Sequence, residues 1–300
     1  MPAMRAEFLK PRYWLLWIAL GLLRLAVLLP YRVQRPLGFA LGRLIRLAAG
    51  RRRRITRVNL ERCFPEMTAE ARGRLERRHF ESLGLGVIEL GMCWWASEER
   101  LRRLVRVEGL EHLHAAQAGG RGVILLTAHF TTLEIGGAML TLFVRLHMMY
   151  RPNRNPLLDA VIRAGRERRA ERGIPRDDVR ALLRSLKQGI PIWYAPDQGY
   201  RGKNSVSVPF FGVPAPTNPA TARIARVSGA PVVPFFVERL DGAEGYLIRL
   251  LPALDDFPAG DETADAARVN AVLEQGVRQR PAQYLWSHDR FKIVPRTKQR

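Results

Sequence analysis

The chain has 300 residues, of which 47% are hydrophobic, so a wholly disordered protein is excluded and one large domain or two small ones are possible. Its 49 Lys and Arg residues against 28 Asp and Glu give a formal net charge of +21, which favours anionic partners such as phospholipid headgroups, nucleic acid or acidic proteins. Cys63 and Cys93 form no metal-ligand spacing, and no Gly-rich nucleotide loop occurs, so the sequence supports neither a metal centre nor a bound cofactor.

Residues 1–60 are predicted to form a membrane anchor. Residues 13–30 read YWLLWIALGLLRLAVLLP, and as a helix this run would be about 27 Å long, marginal for a hydrocarbon core of ~30 Å. Basic residues flank it on both sides, including four arginines at 51–54, so charge does not fix its orientation. We expect a helix that spans the membrane or lies in the cytoplasmic leaflet, with Arg24 reaching the headgroups and 51–54 attracted to anionic lipids. The alternative is a buried helix of a soluble core.

Residues 61–300 are predicted to form one α/β domain. Helical periodicity covers 68–96. Beyond it we predict strands at 122–128, 147–150, 190–195, 232–237 and 246–251, and helices at 133–144, 156–172, 177–187, 217–227 and 263–280. Because strands alternate with helices, the fold class is a mixed, largely parallel sheet flanked by helices.

His129 directly follows the first of these strands, and Glu134 comes five residues later. If both were helical they would lie about 140° apart, so His129 must occupy the strand-to-helix turn for the two to cooperate. Thr131 and Glu134 match a capping box with Thr131 as the N-cap. That pattern supports the turn, but it also explains Glu134 without any catalytic role.

Two more polar groups follow neighbouring predicted strands. Arg151 ends the strand at 147–150, and Asp197 follows the strand at 190–195. Because ligands bind beyond the carboxyl ends of parallel strands, we expect these groups to converge with His129 at one edge of the sheet. A neutral His can act as a general base when a carboxylate holds its tautomer. We predict Glu134 as that carboxylate, with Asp197 as the alternative, in which Glu134 instead pairs with Arg151.

Five blocks of the sequence resemble, in the same order, segments of the late lipid A biosynthesis acyltransferases, most closely those of the lauroyl type. The blocks are AHFTTLEIG at 128–136, YRPNRNPLLD at 150–159, WYAPD at 193–197, VPFFG at 208–212, and QYLW at 283–286 with RFK at 290–292. His129 and Glu134 match the His-x4-Asp/Glu signature of this superfamily. The chain departs from the family where Gln198 replaces a frequent acidic residue and Asp289 a frequent basic one, which leaves acceptor and chain length open.

The resemblance implies a glycerol-phosphate acyltransferase-like fold on the cytoplasmic side of the inner membrane. It also implies transfer of an acyl chain from acyl carrier protein to a hydroxyl of a lipid A precursor, without a cofactor. His129 would be the base and Glu134 its acidic partner. The candidates for substrate binding are Arg151, Asn153, Asp197 and Lys203. Phe210 and Phe211 are candidates for the acyl pocket, or else parts of an ordinary core loop.

No G-x-S-x-G nucleophile elbow occurs, so we expect the acceptor hydroxyl to attack the thioester directly once His129 removes its proton. Arg151 or the backbone N–H groups at 131–133 would stabilise the oxyanion. One alternative is an acyltransferase of the same superfamily that acts on a lysophospholipid or another glycolipid. A more distant one is a non-catalytic protein that binds membranes or nucleic acid. We expect no nucleic-acid partner, because aromatic and basic residues do not interleave on a recognisable module.

Overall fold

The computed structural model describes residues 6–150, 152–167, 172–175 and 177–292. The helices in these ranges are α1 (Trp14–Leu28), α2 (Tyr31–Ala48), α3 (Gly50–Cys63), α4 (Ala69–Trp95), α5 (Glu98–Leu104), α6 (Leu110–Gln117), α7 (Leu133–Leu140), α8 (Pro156–Glu167), α9 (Val179–Lys187), α10 (Ala220–Ser228) and α11 (Glu262–Gln279). The strands are β1 (Val105–Glu108), β2 (Ile124–Leu126), β3 (His147–Tyr150), β4 (Arg172–Pro175), β5 (Ile192–Tyr194), β6 (Val206–Phe210), β7 (Val213–Thr217), β8 (Val232–Arg239) and β9 (Tyr246–Leu250).

Seven strands form one sheet in the order β1-β9-β8-β2-β5-β3-β4. All neighbouring pairs are parallel except β8 and β9. The prediction of a mixed, largely parallel sheet flanked by helices is therefore confirmed. Three details differ from the prediction. The helix predicted at 156–172 is described only as far as Glu167, and Arg172 belongs to β4. The edge strand β1 was not predicted, and neither was the separate antiparallel hairpin of β6 and β7.

Alternating residues of the central strands enter two different apolar clusters. In β2, Leu125 packs with Met139 of α7 on one face, whereas Ile124 and Leu126 pack with Trp286 on the other. Helices consequently cover both faces of the sheet, and its strand ends are the places where polar groups can meet without being enclosed by apolar side chains.

The N-terminal helices expose apolar side chains on one side and pack against α4 on the other. Of residues 11–28, only 17% are buried. By length and composition, this helical stretch is long enough and apolar enough to cross a membrane. The exposed apolar residues of α1 and α2 are Trp14, Leu15, Ile18, Leu22, Leu25, Leu28, Val33, Leu37, Leu44 and Leu47. On the opposite side of α2, Gly42 meets Gly84 of α4 so closely that a β-carbon on Gly84 would lie 2.2 Å from the Gly42 nitrogen. Only glycine permits this contact.

The predicted domain boundary at residue 60 falls inside α3. Leu60 is 1% exposed, and the side-chain nitrogen of Asn59 donates to the carbonyl oxygens of Trp286 and His288, each at 2.7 Å. Helix α3, most of which belongs to the predicted anchor, is thus packed into the α/β core. The division into an anchor and an acyltransferase domain stays a prediction.

Candidate active site

His129 and Asp197 meet at the carboxyl edge of two parallel neighbours. Leu126 at the end of β2 is paired with Tyr194 at the end of β5, so both chains leave the sheet at the same level. His129 lies in the turn between β2 and α7, and its Nδ1 is 2.6 Å from Oδ1 of Asp197. The side chain of Asp197 is 3% exposed, whereas that of His129 is 24% exposed. The carboxylate is therefore enclosed, and the imidazole remains accessible.

The electrostatics of the pair favour its charged form. Burial lowers the pKa of His129, but the charge and hydrogen bond of Asp197 outweigh burial, so this pKa is raised above its ordinary value. Burial raises the pKa of Asp197, but His129 and Arg290 outweigh it, so the pKa of the carboxyl is lowered. With Nδ1–H donating to Asp197, Nε2 is the nitrogen that can accept a substrate proton.

Glu134 makes its contact elsewhere, whereas Asp197, the predicted alternative, is the carboxylate that contacts the His129 ring. Nη2 of Arg166 in α8 donates to one carboxylate oxygen of Glu134, and its Nε donates to the other at 3.3 Å. The physical reason is helical phase, because Glu134 is the second residue of α7 and its side chain is directed towards α8. Its charge still contributes, after Asp197, to the raised pKa of His129. A catalytic role for Glu134 stays a prediction.

The predicted capping box at Thr131 is also wrong. Thr132 is the N-cap of α7, and the hydroxyl of Thr131 lies 2.7 Å from that of Ser82 in α4. Two of the expected oxyanion donors are occupied, because the N–H of Thr131 donates to the carbonyl of Gln283 at 2.7 Å and that of Leu133 to Phe130 at 3.0 Å. Arg151, the other expected donor, lies outside the described residues.

A buried ion pair, which the sequence did not reveal, supports the turn that carries His129. Arg239 at the end of β8 is 5% exposed, and it donates to both carboxylate oxygens of Glu89 in α4 at 2.7 Å. The same guanidinium donates to Ser82 at 2.7 Å, and Ser82 in turn contacts Thr131. A β-carbon on Gly86 would lie 2.8 Å from the Thr131 carbonyl oxygen. Helix α4 therefore holds the turn by hydrogen bonds and by close backbone packing.

The segment after α11 closes the other side of the site. Leu285 donates its N–H to the carbonyl of His129 at 2.9 Å. Arg290, which is 2% exposed, donates to the Pro216 carbonyl at 2.7 Å. Burial and the charge of Lys292 lower the pKa of His288 to about 4, so this second histidine is neutral near pH 7. The sequence blocks at 283–292 were noticed only for their resemblance, and their contact with His129 depends on long-range packing.

Comparison with known proteins identifies the family of this chain. The family model described as bacterial lipid A biosynthesis acyltransferase matches residues 1–293. The chain belongs to this family. It is 40% identical over 296 residues to the lipid A biosynthesis lauroyltransferase of Escherichia coli (strain K12), covering 98% of this chain and 97% of that protein. It is also 40% identical over 291 residues to the lipid A biosynthesis palmitoleoyltransferase of the same organism, covering 96% and 94%.

Among solved structures, the chain is similar to the 1-acyl-sn-glycerophosphate (LPA) acyltransferase PlsC from Thermotoga maritima. The TM-score is 0.39 at 15% identity, with 85% of this chain and 99% of that chain covered. As a member of the lipid A acyltransferase family, the protein is a membrane-associated acyltransferase, consistent with its apolar N-terminal helix.

Asn153 and Lys203 are the remaining residues predicted for substrate binding that the structure describes. Asn153 donates its N–H to Asp159 at 2.6 Å and accepts from the N–H of Asn155, so its polar groups organise the start of α8. Lys203 is exposed in the loop before β6. Roles for both in substrate binding stay predictions.

Phe210 and Phe211 lie in a buried aromatic cluster that reaches the active-site segment. They are 1% and 7% exposed, and the ring of Phe211 packs on Phe64 and Trp286 with centroids 5.1 and 5.8 Å apart. The ring of Phe210 packs on Tyr284, which forms a bridge with Phe130. Their role in an acyl pocket stays a prediction. Because the rings pack on one another, they would have to separate to admit an acyl chain.

Proposed function

We propose that this acyltransferase moves a fatty acyl chain of the lauroyl type from acyl carrier protein to a hydroxyl of a lipid A precursor, as a late, secondary acylation. The single observation that carries the proposal is the His129 imidazole held by the buried carboxylate of Asp197. It is supported by the 40% identity to the lauroyltransferase over almost the whole chain. The equal identity to the palmitoleoyltransferase makes palmitoleate the second candidate acyl group.

In the proposed reaction, Asp197 accepts a hydrogen bond from Nδ1–H of His129, which leaves Nε2 unprotonated and directed towards the acceptor. Nε2 removes the proton of the acceptor hydroxyl while that oxygen attacks the thioester carbonyl. The tetrahedral intermediate collapses with breakage of the C–S bond, and the imidazolium returns its proton to the departing thiolate. The product is an ester, and no acyl-enzyme is formed. General-base catalysis of this kind contributes about 10²- to 10⁴-fold in rate.

The charge around the imidazole suits the two states that it must adopt. Protonation of His129 during the attack creates a cation 2.6 Å from a carboxylate that is 3% exposed, so the imidazolium is stabilised when it forms. Glu134 holds Arg166 next to this edge through two hydrogen bonds. We assign Arg166 to the stabilisation of negative charge on the thioester oxygen or on the acceptor, since a guanidinium already oriented by a carboxylate needs little reorganisation.

The membrane and the donor would approach different surfaces. The exposed apolar side chains of α1 and α2 would enter the inner membrane, with the catalytic edge on its cytoplasmic side. The formal net charge of +21 would attract anionic lipids and the acidic surface of acyl carrier protein.

An acyl-transfer assay with crossed donors and acceptors tests the proposal. Purified protein is given lauroyl or palmitoleoyl groups on acyl carrier protein or coenzyme A, with a tetraacylated lipid A precursor or a lysophospholipid as acceptor. Mass spectrometry should show one added lauroyl group on the lipid A precursor, with acyl carrier protein as the better donor and no product from the His129→Ala variant. Acylation of the lysophospholipid alone would refute the proposed acceptor, and near-normal turnover by His129→Ala would refute the mechanism.

A further inference from the structure

Three arginines from two helices share one buried carboxylate near the lipid-facing surface. Nε of Arg46 in α2 and Nε of Arg53 in α3 lie 3.0 and 2.9 Å from the same oxygen of Glu76, and Nε of Arg57 lies 3.1 Å from the other. The Glu76 side chain is 3% exposed, whereas those of Arg46, Arg53 and Arg57 are 19%, 32% and 51% exposed. We call Arg46, Arg53 and Arg57 the arginine triad. It surrounds a hidden carboxylate and is itself open to solvent.

The triad has more positive charge than its carboxylate neutralises. Burial raises the pKa of Glu76, but Arg57 and Arg46 outweigh it, so this pKa is lowered and the carboxylate is ionised near neutral pH. Three guanidinium groups against one carboxylate leave two positive charges in a small volume. Each pair uses Nε as its donor, whereas a guanidinium has four further N–H donors on its two Nη atoms. A second anion would relieve the repulsion among the three cations.

The position of the triad indicates where such an anion would come from. Val33, Leu37, Leu44 and Leu47 are exposed and lie within an arc of about 80° on α2, which forms an apolar stripe suited to acyl chains. Arg46 lies about 140° around the same helix from Val33, so the triad is set back from the stripe. This arrangement suits a lipid whose acyl chains lie on the stripe and whose phosphate is carried by a headgroup beyond them.

The triad is also connected to the catalytic edge. Helix α3, which carries Arg53 and Arg57, contacts the active-site segment through Arg52, which donates to the Ser287 carbonyl at 3.0 Å. Two residues before Ser287, Leu285 is hydrogen-bonded to the His129 carbonyl. Helix α3 and the turn that carries His129 are therefore joined through residues 285–287.

We propose that the arginine triad binds a phosphomonoester of the acceptor glycolipid and so positions the acceptor on the membrane. The proposal rests on the acceptor class given under Proposed function. A phosphomonoester has three terminal oxygens and up to two negative charges, whereas a phosphodiester has two terminal oxygens and one charge. The phosphomonoester can therefore accept hydrogen bonds from more guanidinium groups at once. Glu76 serves as the positioning residue, since it orients the guanidinium groups before the ligand arrives.

Arg→Lys variants isolate the fork geometry because they keep the charge. Arg53→Lys and Arg57→Lys each leave two arginines on Glu76, so its carboxylate is not left unpaired and the fold is retained. Arg54→Lys is the matched control, because Arg54 is an exposed residue of the same helix between the two. Any general attraction to anionic vesicles is equal in all three variants.

The experiment measures partition into phosphatidylcholine vesicles without any acyl donor. The vesicles contain a diphosphorylated tetraacyl disaccharide, its fully dephosphorylated form, phosphatidic acid or phosphatidylglycerol, and added phosphatidylglycerol matches their surface charge. The wild type and Arg54→Lys should partition about tenfold more into the vesicles with the phosphorylated disaccharide than into those with its dephosphorylated form, and Arg53→Lys and Arg57→Lys should lose this preference. A similar preference for phosphatidic acid over phosphatidylglycerol would support recognition of the phosphomonoester itself, and its absence would assign the site to the glycolipid.

Equal partition of the wild type into both glycolipid vesicles would overturn the proposal. So would a loss of preference in Arg54→Lys as large as that in Arg53→Lys. Because no acyl donor is present, either result concerns only the triad. A failure of the proposed acyl transfer appears separately, as the absence of product in the crossed-donor assay.

Discussion

Replacement of Asp197 by Asn separates the two acidic partners considered for His129. Asn keeps the shape of the side chain but removes its charge, and thereby a charge-assisted contact of 2.6 Å. We expect kcat to fall by about 10²- to 10⁴-fold. General-base catalysis contributes a factor of this size, and it is lost when the base has the wrong tautomer or orientation. KM for the acceptor should change little, because the Asp197 side chain is 3% exposed and lies behind the imidazole.

The pH dependence gives the sharper readout. In the wild type, burial lowers the pKa of His129 but Asp197 raises it more, so the acidic limb of kcat/KM should lie above the ordinary value of about 6.5. Activity then rises as pH increases through that limb, because only the neutral imidazole accepts a proton. Without the Asp197 carboxylate, the pKa of His129 is lowered by burial and raised only by the weaker effect of Glu134. The limb of Asp197→Asn should therefore move to lower pH, and its residual activity should vary less between pH 6 and 8, roughly the range in which histidine titrates.

Glu134→Gln is the matched control, since it removes a second carboxylate that also raises the pKa of His129 but bonds Arg166 instead. Its acidic limb should move less than that of Asp197→Asn. The assay is initial-rate acyl transfer at saturating and limiting acceptor over the pH range, with thermal unfolding measured to confirm that both variants fold. An unchanged limb in Asp197→Asn together with a large shift in Glu134→Gln would refute the reasoning and restore Glu134 as the partner of His129.

Three further substitutions test the surroundings of the site. Ser82→Ala removes the contact with Thr131 at 2.7 Å and should lower kcat about three- to tenfold in single-turnover assays, with acceptor binding unchanged; unaltered kcat would show that the turn is held without it. Asn59→Leu leaves two carbonyl oxygens without their 2.7 Å donor and should lower the free energy of unfolding by about 1–3 kcal/mol, seen as a lower Tm in detergent. Gly84→Ala places a β-carbon 2.2 Å from a backbone nitrogen of α2 and should destabilise by about 1–3 kcal/mol or more, whereas Gly73→Ala on the same helix, with nothing within 4 Å, should not.

The elements that escaped prediction have specific physical reasons. The hairpin strands contain Pro209 in β6 and Pro214 and Pro216 in β7, residues that normally argue against a strand because they cannot donate to a ladder. A two-stranded hairpin tolerates them because each strand has an unpaired edge. β1 and β4 each have four residues and form the two edges of the sheet, and neither contains the apolar run that marks a buried strand. By contrast, β3 at His147–Tyr150 was predicted with its correct bounds.

The site was predictable as far as local rules extend. Residues that follow parallel strands had to converge at one edge, which brings His129 and Asp197 together once β2 and β5 are neighbours. The choice between Asp197 and Glu134 depended on strand order, which periodicity does not give. The ion pair between Glu89 and Arg239 joins residues 150 positions apart, so no local pattern could pair them. The one signal of this ion pair in the sequence was Arg239, a charged residue at the end of the apolar strand β8.

Helix α4 connects the N-terminal helices with the turn that carries His129. Its Glu76 gathers the arginine triad, its Gly84 admits α2, and its Ser82 contacts the turn before α7. These three residues lie within three turns of one helix, a length over which an α-helix is stiff. The N-terminal helices and the turn that carries His129 are consequently packed on the same rigid element. The N-terminal helices are thus part of the framework that positions His129, in addition to forming the predicted membrane anchor.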